Sequence, residues 1–115
     1  MNQEDNDLIM FIIVVEKIKK KRELLNMVSN GIQLCVEKMI SNRSYQRLYL
    51  NYVESGSKKV YLKVYKRYKI MEILNLSEDK FIVYRDNDNE KVVVITFLPM
   101  FNKDLPTILK KLRCI

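Results

Sequence analysis

Apolar positions follow a helical rhythm in the first third of the chain and an alternating one beyond it. Leu8, Phe11, Ile12, Val15, Ile18 and Leu25 keep i, i+3, i+4 spacing, with Asp7 placed to cap them and Gly31, preceded by Ser29 and Asn30, to stop them. Ile9, Met10, Ile13 and Val14 are apolar as well, so the first two turns of such a helix have no polar side. A helix apolar all round must be covered all round. In a small domain that demand predicts an oligomer interface through Leu8, Ile9, Phe11, Ile12 and Val15, hence a homo-oligomer or a place in a larger complex. The same β-branched run also reads as a short buried strand. Ile32, Cys35, Val36, Met39 and Ile40 share one stripe and predict a second helix that ends at Ser41-Asn42-Arg43-Ser44.

From Tyr45 the period changes. Leu48, Leu50 and Tyr52 alternate with Arg47, Tyr49 and Asn51, a Gly56-containing turn follows, and Val60, Leu62 and Val64 then alternate with Lys59, Tyr61, Lys63, Tyr65 and Arg67. This reads as a hairpin with one apolar face and one basic, tyrosine-bearing face. A competing stripe, Tyr45, Leu48, Tyr49, Tyr52 and Val53, would make Tyr45 to Glu54 a helix. In Tyr68 to Leu76 the positions of Ile70, Ile73 and Leu74 fit either a helix or a strand, and the strand is the reading taken. Lys80 to Arg85, the polar turn Asp86 to Glu90, and Lys91 to Leu98 predict a second hairpin whose later strand, apolar on both sides, belongs inside the sheet. Pro99 ends it. Asp104 and Pro106 open a last helix with Leu105, Ile108, Leu109 and Leu112 on its apolar stripe and Lys110, Lys111 and Arg113 in its last turn. The predicted fold class is α+β: an N-terminal helix or helical pair, an antiparallel sheet of four to five strands and a short C-terminal helix, one domain over residues 1–115.

Charge sharpens this picture more than composition does. Tyr45 to Lys69 holds Arg47, Lys58, Lys59, Lys63, Lys66, Arg67 and Lys69 against the single acid Glu54, six of the seven net positive charges of the 115 residues. Alanine and tryptophan are absent while Lys, Ile and Asn abound, the mark of an AT-rich coding sequence, so lysine placement says more than lysine number. No apolar run approaches the roughly 18 residues that span a bilayer, and the acids Glu4, Asp5 and Asp7 precede Leu8 where a secretory leader carries cations. A cytoplasmic protein without membrane contact is the expectation. Cys35 and Cys114 form no C-x-x-C pair and read as a buried apolar residue and an incidental one.

The chain has no histidine, which removes the commonest general base and the commonest zinc ligand. Asp86, Asp88 and Glu90 begin like a calcium loop, but Lys91 and Phe97 stand where its glycine and bidentate glutamate belong, so a hairpin turn is the reading. No catalytic residue, metal or cofactor is expected. The basic hairpin face predicts a small non-catalytic protein that binds RNA or single-stranded DNA, with Tyr49, Tyr61 and Tyr65 stacking on bases and Arg47, Lys59, Lys63 and Arg67 meeting phosphates. The alternative is an assembly or adaptor subunit docking through the apolar N-terminal segment. Phe81 to Arg85, the acidic turn and Val92-Val93-Val94 resemble the closing hairpin of RelE-type toxins. That resemblance implies a histidine-free RNase acting through Arg, Lys and Tyr, although those proteins begin with a strand and a helical pair is expected here.

Overall fold

The computed structural model describes residues 7–115; Glu4 and Asp5 of the acidic N-terminus lie outside them. The apolar run is a strand, β1 (Leu8–Val14), and not the helix expected. As a strand it resolves the excess of apolar surface within the chain itself. Leu8, Met10, Ile12 and Val14 pack into one core, Phe11, Ile13 and Val15 into a second core on the opposite side of the sheet, and of the five predicted interface residues only Ile9 is more than slightly exposed. Nothing on β1 is left over for a partner subunit, so the predicted interface is corrected to a central strand.

Two helices follow, α1 (Lys21–Ser41) and α2 (Arg43–Glu54). Lys17, Lys19 and Lys20, which precede α1, stay in solvent, and the helix passes through Gly31 without stopping. Gly31 is needed there for another reason. A Cβ at that position would lie 2.9 Å from Cγ1 of Val94 and 3.0 Å from Oγ1 of Thr96, both fully buried, so the missing side chain lets the helix approach the sheet. Val28, Gly31, Cys35 and Met39 form its buried stripe. Asn42 is extended and breaks the pair, and its side-chain oxygen accepts from the Ser44 backbone N–H at 3.0 Å to cap α2. The helical stripe therefore wins over Tyr45–Glu54, and the first predicted hairpin is corrected to a helix followed by a strand. Gly56 at φ 107° and Ser57 at φ 53° turn the chain out of α2, and Tyr52, buried, donates its hydroxyl to the Lys58 carbonyl at 3.1 Å.

The strand β2 (Lys58–Lys63) lies parallel to β1, with Ile12 opposite Tyr61 and Val14 opposite Lys63. A parallel neighbour requires a long crossover, which α1 and α2 supply. Next comes α3 (Arg67–Leu74), where a strand was expected; Ile70, Ile73 and Leu74 have the spacing that puts them together on one helix face against the second core. The hairpin of β3 (Phe81–Arg85) and β4 (Val92–Phe97) is antiparallel, closed by Asp86 N–H to Lys91 O at 2.8 Å, and β4 lies inside the sheet between β3 and β1. After Pro99, β5 (Met100–Phe101) pairs with the start of β1. The final helix is short, α4 (Thr107–Lys110), and the chain then forms β6 (Arg113–Cys114) on the outer edge of β2 instead of a further helical turn.

The class is α+β. Among the described residues four α-helices pack on one six-stranded sheet with β3-β4-β1-β2-β6 in order. The sheet is mixed, not purely antiparallel, because β1 and β2 run the same way. Helices α1 and α2 cover one face, α3 and α4 the other. Among the described residues no helix is long and apolar enough to cross a membrane.

Candidate nucleic-acid interface

Adjacent parallel strands whose chains leave toward opposite faces of a sheet open a crevice at their carboxyl ends. β1 and β2 do this: the chain after β1 leads to α1 on one face, and the chain after β2 leads to α3 on the other. Val15 and Glu16 come from the end of β1, Tyr65 from the end of β2, and Lys91 and Val92 from the start of the antiparallel β4. With Arg67, Ile70, Met71 and Leu74 of α3 they enclose a crevice of about 490 Å³. Glu16 and Lys91 form an ion pair at 3.0 Å on its wall.

Tyr65 is shared with a second hollow of about 510 Å³, and this one is basic. Lys63 from β2, Lys66 and Lys69 from the start of α3, and Lys111 and Arg113 from the approach to β6 all line it, together with Val64, Tyr65 and Leu112, with no acid in the lining. Neither ion pair found among the described residues, Lys58 with Asp7 or Lys91 with Glu16, uses any of the five. Two of them are forced together by register. Lys63 stands directly opposite Arg113 in the antiparallel β2–β6 pair, and directly opposed like charges on an edge ladder are destabilising. An anion lying between them removes that cost.

The predicted platform does not exist as one sheet face. Arg47 and Tyr49 ride on α2, Tyr65 sits in the loop after β2, and Arg67 is the first residue of α3. Lys59, Tyr61 and Lys63 do alternate along β2, but toward the side that carries the helical pair. Lys59 Nζ lies 5.7 Å from the ring centroid of the buried Tyr52, and Tyr61 is 41 % exposed at that margin. Tyr49 is half-buried against the first core. The structure brings Lys63 and Tyr65 to the basic hollow and Tyr65 and Arg67 to the crevice, and leaves Arg47, Tyr49, Lys59 and Tyr61 outside both. Both faces of the sheet being covered, the accessible chemistry moves to the strand ends.

Sequence reasoning passed over Lys66, Lys69, Lys111 and Arg113. The first two were visible in the charge count but stood in a segment read as extended. The last two look in sequence like the end of a helix, and only the non-local pairing of β6 with β2 brings them to Lys63. Another hollow, of about 310 Å³ at the opposite end of β1 between Tyr45, Leu76 and Pro99, carries Asp79, Asp104 and Lys80 and so has no cationic surplus. In comparisons with known proteins, no family model matches the chain and no curated protein matches it.

Proposed function

We propose that this chain binds single-stranded nucleic acid, RNA or DNA, without chemistry of its own, holding backbone phosphates in the hollow between the ends of β2 and α3 and the approach to β6. The gathering of Lys63, Lys66, Lys69, Lys111 and Arg113 around the border of one acid-free concavity supports this reading. Phosphates are compact multi-oxygen anions that satisfy opposed cations such as Lys63 and Arg113, and Tyr65, 47 % exposed at the rim, offers a ring face to a neighbouring base. The assembly-subunit reading loses its motive, since the segment meant to dock lies inside the core.

A labelled uridine oligonucleotide titrated at several salt concentrations tests the proposal. Five phosphate contacts imply a slope of log affinity against log salt of about −3.5 at roughly 0.7 per contact. The exposed pair Lys66→Ala with Lys111→Ala lowers it to about −2 and leaves thermal stability unchanged. A flat salt profile, or a double variant that binds like the parent, overturns the reading. So does equal binding of polyglutamate, which would give the hollow to an acidic protein surface. The oligonucleotide recovered from the titration is expected intact on a gel; a cut strand would replace binding by catalysis.

A further inference from the structure

The crevice at the ends of β1 and β2 shares Tyr65 with the basic hollow but differs from it in chemistry. Ile70, Met71, Leu74 and Val92 make its walls apolar, and the polar groups are concentrated in Arg67 at α3 and in the Glu16–Lys91 pair, which presents an acceptor and a donor side by side. Its volume lies within the roughly 300–1,000 Å³ typical of small-ligand sites. Flat apolar faces with a hydrogen-bonding edge, on a group tethered to phosphate, describe a nucleobase. We infer that this crevice accepts one unstacked base of the bound strand while its phosphates occupy the neighbouring hollow, with Tyr65 as the wall between the two. The inference rests on the phosphate reading of the basic hollow. It predicts a preference for single strands: a paired base cannot leave its stack to enter a crevice at a sheet end without losing its partner.

The test compares a uridine oligonucleotide with an abasic oligomer of the same length, which keeps every phosphate and removes every base. The base-bearing probe is expected to bind about 5- to 150-fold tighter, the range for one base held by stacking. Met71→Ser, at a half-exposed position that lines the crevice and not the basic hollow, brings that ratio down while the abasic affinity stays at its parent value. Equal binding of both probes by the parent protein overturns the base crevice and leaves the phosphate site standing. Failure of both probes to bind overturns the two together. A ratio that survives Met71→Ser also sinks the inference, because the base would then be held elsewhere.

Discussion

Replacing Gly31 with alanine adds one methyl group where α1 crosses β4. In an exposed helix the change would stabilise by about 1 kcal/mol, since glycine is the worst ordinary helix former. Here the new Cβ meets Val94 Cγ1 at 2.9 Å and Thr96 Oγ1 at 3.0 Å. Favourable carbon contacts lie at about 3.5–4.0 Å, so the helix or the strand must retreat by roughly 0.6 Å or more. Neither residue yields easily: both are fully buried, and Val94 is β-branched and stiff at χ1. Overpacking of this kind costs about 1–3 kcal/mol, and the immobile neighbours place it in the upper half of that range. After the helix gain the net loss is about 1–2 kcal/mol, a fall in Tm of roughly 4–8 °C at this chain length. Urea unfolding followed by far-ultraviolet circular dichroism should show a lower midpoint with an unchanged m-value. Removing the nearest atom with Val94→Ala should shrink the penalty of Gly31→Ala. An unchanged or raised midpoint for Gly31→Ala in the parent background would refute the close approach of α1 to the sheet.

Two further predictions follow from charge. Arg113→Glu replaces the like-charge pair with Lys63 by an opposite one, so the free protein should gain up to about 1 kcal/mol in thermal unfolding while losing affinity for oligonucleotide, a trade that a purely structural arginine would not show. At high pH the fold should fail in a defined window. Burial raises the Cys35 thiol from its ordinary 9.0 to about 12, and burial chiefly, with weaker contributions from Cys35, Tyr61 and Tyr49, raises the Tyr52 phenol from 10.0 to about 12. Both groups are neutral when folded, so their stabilisation is complete below pH 9 and is lost as pH climbs toward 12. Tyr52→Phe combined with Cys35→Ser should flatten that decline in a pH series of urea midpoints, and an unaltered profile would assign the alkaline loss to other groups.

The elements legible in the sequence are those whose determinants are local. β3 and β4 were readable because two β-rich runs flank a polar turn, and Asn42 marked the break between the helices because its cap lies two residues away. β1 misled because a run apolar at every position fits a helix face and a doubly buried strand equally well; the β-branched density of Ile9, Ile12, Ile13, Val14 and Val15 was the signal that favoured the strand. In Tyr45–Glu54 both periods select Leu48 and Tyr52, and packing of Tyr52 beneath β2 decides between them. The candidate site is half visible in the sequence: the density of cations from Lys63 to Lys69 is plain there, whereas Lys111 and Arg113 join it only through a strand pairing fifty residues apart.

The position of β1 sets the order in which the molecule can be finished. Among the described strands it is the first made, yet its hydrogen-bonding neighbours arrive at Lys58–Lys63, Val94–Thr96 and Met100–Phe101. At ribosomal speeds of about 5–20 residues per second, some 4–16 s separate synthesis of Val14 from synthesis of its partner on β4. When β2 emerges about halfway through that interval, β1 can gain its first neighbour, but the edge that β4 covers stays open until the end, so the most apolar segment of the chain is also among the last to be fully paired.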